Sequence, residues 1–212
     1  MPRRTSGRWL AVVALAAALG PGSASAQAPA LDQLLSRFRA VQGMECRFRE
    51  EKQIALLSTP ITSEGTVHYA RPGRLARRIT RPSPQVVLID GGRLQMAEGG
   101  RVETIDLAAQ PVVRSFVDTF TLLFSGDRAA LERLYRVQLT AGTEATWTIV
   151  LTPRAAPLDR FLREIRFEGD GTSLRTMGMT EVSGDVTTTT FTDVNTSRRF
   201  TADESARIFS IR

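Results

Sequence analysis

Apolar residues along this chain follow two periods, and each switch between them marks a new element. Leu31, Leu34, Leu35, Phe38 and Val41 recur at three- and four-residue spacing, which predicts an amphipathic helix. Pro29 suits its first turn and Gly43 ends it. From residue 44 the period becomes two. Met44, Cys46, Phe48, Ile54 and Leu56 share one face of 44–56, interrupted by Glu50 and Lys52. In 61–71, Ile61, Val67 and Tyr69 lie opposite Thr62, Glu64, Thr66 and His68. Further strands are expected at 75–81, 84–90, 93–98 and 101–107, punctuated by Pro72-Gly73, Pro82 and Pro84, Gly91-Gly92 and Gly99-Gly100. Short strands joined by tight turns predict an antiparallel meander, not βαβ units.

Helical spacing returns in "QPVVRSFVDTFTLLF", where Val112, Val113, Phe116, Val117, Phe120, Leu123 and Phe124 form one stripe. Ser125-Gly126-Asp127 can end this helix and cap the next, "RAALERLY". Strands resume near 136–141, 146–152, 161–168, 173–181 and 185–192, with hairpin turns at "GDGT" and "SGD". Trp147, Ile149 and Leu151, then Phe161, Ile165 and Phe167, then Met177 and Met179 alternate with polar residues. The expected class is therefore mainly β with helices (α+β). A one-sided sheet must cover its apolar face, by closing into a barrel or by lying under helices. Two or three helices cannot tightly fill so large a curved sheet, which leaves room for a cavity. Periodicity by itself is compatible with a cavity and with a filled core.

The N-terminus changes what counts as the folded chain. Arg3, Arg4 and Arg8 precede the apolar run "WLAVVALAAAL", and "ASA" at 24–26 offers small residues for cleavage. The run is shorter than the ~20 residues of a membrane-spanning helix. Residues 1–26 are expected to be a cleaved signal peptide and 27–212 a single exported domain. Thr5-Ser6-Gly7 after the paired arginines argues against twin-arginine export. Losing three arginines and no acids lowers the net charge from +6 to +3, too small an excess for a nucleic-acid binder. Cys46 is the single cysteine, so no internal disulfide forms. Its alternation with Met44 and Phe48 places it at a buried strand position.

Catalytic chemistry has little support. The one histidine, His68, falls on a polar strand face and is expected to face solvent. No G-x-S-x-G elbow, metal-ligand cluster or phosphate loop occurs, and "EGDGTS" lacks the ligands of a calcium loop. No enzyme, cofactor or metal is expected.

"HYARPGRLARRITRP" holds five arginines, Arg71, Arg74, Arg77, Arg78 and Arg81. No aromatics interleave for base stacking, and Arg74, Arg78 and Arg81 are expected on a solvated face or in turns. Arg71 has the parity of Ile61, Val67 and Tyr69 and so points to the apolar side. A guanidinium there needs acceptors, such as carbonyls at the ends of covering helices. Alternatively, at a strand end, it reaches to water.

"SEGTVHYARPGRLARRITRPSPQVVLIDGGRL" (63–94) resembles the periplasmic outer-membrane lipoprotein carrier family LolA, with its glycine-led strand, "RP" pair and "DG" turn. "FREEKQI" resembles that family's first strand and "VLTPR" its "LTP" strand end. "GDRAALERLYRVQL" and "MTEVSGDVTTTTFTDV" are similar to the LolA-like branch. The resemblance implies an open, incomplete antiparallel β-barrel (a half-barrel) covered by a helical lid, enclosing a hydrophobic cavity for acyl chains. It implies Arg71 as the lid latch. Expected cavity residues are Val67, Tyr69, Leu75, Ile79, Trp147, Ile149, Leu151, Ile165, Phe167, Met177 and Met179, with Phe116, Phe120, Leu123 and Phe124 on the lid. Leu75 and Arg77 stand where the best-known members carry aromatics, so the cargo or its donor is expected to differ.

The implied role is lipoprotein transport through the periplasm of a Gram-negative envelope. A monomeric chaperone would take lipoproteins from an inner-membrane ABC-type donor to an outer-membrane acceptor. Alternatives are a carrier of another amphiphile, such as a glycolipid or lipid-linked polyene, and a module that senses mislocalised lipoproteins.

Overall fold

Both runs of alternating residues join a single sheet. The computed structural model describes residues 24–142 and 145–211, without the side chains of 24–29, Val112, Ser115, Phe116 and Ala141. Residues 1–23 of the expected signal peptide lie outside the described residues. The first helix, α1, spans Ala24–Ala40. It starts before Pro29, which therefore lies within the helix and not in its first turn.

A six-stranded meander follows: β1 (Gly43–Gln53), β2 (Ile61–Ala70), β3 (Arg74–Arg81), β4 (Gln85–Asp90), β5 (Arg93–Glu98) and β6 (Arg101–Asp106). Helices α2 (Pro111–Ser125) and α3 (Arg128–Leu134) interrupt it. Then come β7 (Tyr135–Ala141), β8 (Thr146–Pro153), β9 (Leu162–Asp170), β10 (Ser173–Glu181) and β11 (Val186–Asn195). The strand order is β6-β5-β4-β3-β2-β1-β11-β10-β9-β8-β7. All pairings between these strands are antiparallel, and β1 with β11 joins the two meanders. β6 and β7 remain edges, so the barrel is open.

Local chemistry sets the joints. Gly126 ends α2 at φ 66°, donating to Leu122 and Leu123 carbonyls, and Asp127 caps α3 by accepting from Ala130 N at 2.9 Å. At Gly65 the backbones of β2 and β3 approach so closely that an added Cβ would collide with the Arg78 carbonyl. The first strand ends at Gln53, before Ile54 and Leu56, and Leu56 is 95% exposed. The expected strand 44–56 is therefore shorter than its apolar pattern.

A short helix absent from the periodicity reading, α4 (Ala202–Ile208), folds back over the outer face of the sheet. Phe209 joins Ala76 and Leu88 in a second small core, with Val86, Phe200, Ile208 and Ile211 packed against it. This explains why β4 is apolar on both sides. Val87 and Ile89 face inward, whereas Val86 and Leu88 lie under the C-terminal segment. It also corrects three sequence expectations. Arg78 donates to the carbonyls of Ile208 (2.8 Å), Ser210 (3.1 Å) and Arg207 (3.3 Å) at the end of α4. Arg74 stacks 4.5 Å over the Phe209 ring. His68 is half-buried beside Phe200, its Nδ1 enclosed and without a hydrogen-bond partner, not turned to solvent. Burial lowers its pKa, with Arg78 and Arg198 adding to the effect and Glu45 opposing it.

Candidate functional site

The inner face of the sheet divides into a filled end and an open one. At the filled end, Phe38 from α1 meets Phe124 from α2 at 5.3 Å and Trp147 at 5.4 Å, ring centre to ring centre. Tyr69 lies 4.9 Å from Phe124. Leu31, Leu34, Leu35, Leu123, Ile149 and Leu151 complete a fully buried cluster. Two helices can approach the sheet closely here because their aromatic side chains interdigitate with those of the strands.

Toward the other end the helices no longer fill the curve. A cavity of about 300 Å³ opens between Val117 and Phe120 of α2 and the strands below. Val67, Leu75, Val87, Ile89 and Leu94 line one side, and Ile165, Phe167, Met177, Met179 and Phe191 the other. Thr119 of α2 shares a buried hydroxyl–hydroxyl hydrogen bond with Tyr135 of β7, tying the roof to the sheet. A larger open groove, about 770 Å³, lies across strands β1, β2, β3 and β11, lined mainly by arginines, glutamates and threonines. That lining suits water, not hydrocarbon.

Of the residues expected at the cavity, Val67, Leu75, Ile165, Phe167, Met177 and Met179 line it, as does Phe120 from the roof. Tyr69, Trp147, Ile149 and Leu151 instead belong to the packed end, together with Leu123 and Phe124. Ile79 packs partly buried against that core. The Phe116 side chain lies outside the described residues. Phe48, Val87 and Phe191 were missed, although the parity of β1 already put Phe48 on the inner face.

Arg71 stands at the junction of sheet and helices. Its Nε donates to Val41 O, just past α1, and its Nη2 to Phe124 O in the last turn of α2, both at 2.9 Å. Arg39 of α1 donates to Gly126 O beside it. Terminal helix carbonyls lack intrahelical partners and carry partial negative charge, so guanidinium groups satisfy them well. One side chain from the sheet thus binds both covering helices at once.

Two charged residues share the inner face. Glu50 of β1 and Arg77 of β3 both line the cavity, with Arg77 Nη2 2.8 Å from Glu50 Oε1. The Arg77 guanidinium lies 4.3 Å over the Phe48 ring. Glu50 also accepts from Thr189 Oγ1 at 3.1 Å. Sequence parity put Glu50 on this face, but not its meeting with Arg77 across β2. Cys46 is buried in the same face, and burial is the main reason its thiol is pushed up to about 12.

Comparison with known proteins agrees with this architecture. The family model described as outer membrane lipoprotein carrier protein LolA-like matches residues 23–208. An outer-membrane lipoprotein carrier protein of Dechloromonas aromatica is 24% identical over 169 residues, covering 80% of this chain and 78% of its own. One from Chromohalobacter salexigens is 23% identical over 187 residues, covering 88% and 86%. A DUF1329 family protein from Desulfovibrio piger has a similar fold, with a TM-score of 0.51, 10% identity and coverage of 86% of this chain and 99% of that one. With a half-open sheet, a helical cover and a family match over nearly its whole length, this chain belongs to the LolA-like family of outer-membrane lipoprotein carrier proteins.

Proposed function

We propose that this protein is a periplasmic carrier that shelters the acyl chains of lipoproteins beneath α2 and moves them from the inner to the outer membrane. Export would remove residues 1–26, leaving α1 to begin near Gln27 with Pro29 in its first turn. An inner-membrane ABC-type complex would load the carrier and an outer-membrane acceptor would empty it. The names of the curated relatives support the cargo class. Among the described residues no helix is long and apolar enough to cross a membrane.

The observation that carries this reading is an apolar cavity whose roof is held by Arg71. An acyl chain exposed to water costs about 0.8 kcal/mol per methylene, so roughly 11 kcal/mol for a ~14-methylene chain. A shelter that deep would never release its guest unless opening and closing offset the burial. Here, opening breaks the bonds from Arg71 to Val41 and Phe124, each worth about 1.5–3 kcal/mol as hydrogen bonds to a charged group. Closing restores them and favours release. At about 300 Å³ the closed cavity sits at the small end of ligand pockets, so a full acyl chain requires the roof to move.

Replacing Arg71 with Leu tests the reading. Arg71→Leu is expected to retain bound lipid at least tenfold longer and to deliver it poorly to acceptor vesicles, measured by transfer of a labelled lipoprotein. Wild-type rates of loading and transfer in that variant would remove Arg71 from the mechanism.

A further inference from the structure

A wall meant only for hydrocarbon needs no charge, yet this one carries Arg77 and Glu50 among apolar neighbours. The pair is neutral in sum but incompletely bonded. Arg77 Nη2 is shut off from water and, though 2.8 Å from Glu50, lacks hydrogen-bond geometry toward it. Among the described residues the Arg77 side chain donates no hydrogen bond, and it is placed by its stacking on Phe48. An arginine has five N–H donors and cannot shed its charge.

A plain alkyl chain pressed against this pair would strip its remaining water and offer no acceptor, an unfavourable exchange. An anionic group would meet Glu50 as well as Arg77. A neutral oxygen acceptor has neither penalty, because it completes the donors of Arg77 and leaves the ion pair intact. We propose that Arg77 and Glu50 form a polar subsite within the cavity that recognises a neutral oxygen-bearing group of the cargo, an ester or amide carbonyl or a hydroxyl, and so selects oxygenated amphiphiles over plain hydrocarbon. This rests on the carrier reading above and specifies the cargo class.

The experiment compares pyrene-tagged probes of equal length: a plain chain, chains with one mid-chain ester or one mid-chain hydroxyl, and a chain ending in a carboxylate. The wild-type protein is expected to bind an oxygenated chain about tenfold tighter than the plain one, as one hydrogen bond to a charged group allows. The ester and hydroxyl arms tell which oxygen is preferred. The double variant Glu50→Leu with Arg77→Leu should bind plain and oxygenated chains alike, and replacing a buried pair by apolar residues leaves folding possible. Glu50→Gln, which keeps shape but leaves Arg77 unopposed, should shift preference to the carboxylate chain. A discrimination ratio unchanged in both variants overturns the subsite, as does a wild-type preference for the plain or the carboxylate chain. Equal uptake of all probes by the wild type sinks the subsite alone. Uptake of none sinks the carrier reading with it.

Discussion

Single residues here act through where their polar atoms end up. Gly126 holds a left-handed φ of 66°, and a Cβ on it would collide with the Leu35 carbonyl of α1. Gly126→Ala is expected to cost about 1–3 kcal/mol, seen as a lower midpoint in urea unfolding, because α2 must lift from α1. Cys46 carries a thiol raised to about 12 by burial. It should therefore resist alkylation in the native protein and react only on denaturation, which a thiol-specific chromophore would report. Fast labelling under native conditions would contradict the burial. Cys46 was legible from parity alone, since alternation with Met44 and Phe48 already put it inside. Arg77 was not, because its partner Glu50 lies two strands away and only pairing through β2 brings them together.

At the level of elements, the C-terminal segment is held by a few polar contacts over a small apolar patch. Arg78→Ala would leave the last carbonyls of α4 without their donor and should cost about 1–3 kcal/mol. The loss would show as faster hydrogen exchange confined to 198–211. His68 beneath Phe200 has a lowered pKa from burial, with Arg78 and Arg198 contributing and Glu45 opposing. Below its ordinary value of about 6.5 the unfolded histidine takes up a proton that the folded one resists, so acidification favours unfolding. Thermal stability should therefore fall between neutral pH and about pH 5, and the fall should be smaller in His68→Gln. Periodicity missed α4, whose apolar content is low. The Thr201–Glu204 capping box, seen in the structure and readable in the sequence, was the available signal.

The whole molecule is a sheet with two free edges, filled at one end and open at the other. Arg71 and Arg39 gather the helix ends over the filled part, while Val117 and Phe120 roof the cavity. Movement of α2 when a guest enters is therefore expected to break the Arg71 bond to Phe124 O and to carry Phe124 away from Tyr69, while Phe38 and Trp147 stay packed together. Binding of an acylated peptide should raise the melting temperature, as any ligand specific to the folded state does. It should also speed amide exchange in α2, as Arg71→Leu should without ligand. Protection of α2 unchanged in both cases would rule out a moving roof.

The alternation of side chains determined by itself, to within a few residues, where the strands lie, how many there are on each side of the helices, and, in every strand but β4, which face is apolar. It did so because strand period is a local property of the backbone. It gave Arg71 the parity of the inner face but left open a side chain reaching to water, and the bonds to Val41 and Phe124 decided between the two. Only the tertiary structure decided which inward residues touch one another and which touch empty space. That choice depends on how closely two helices approach a curved sheet, and the approach is set by Phe38 and Phe124 meeting side chains distant in the chain. The cover over the outer face, the filled end around Trp147 and the charged pair in the cavity wall all arise from contacts between residues far apart in sequence, which no local pattern encodes.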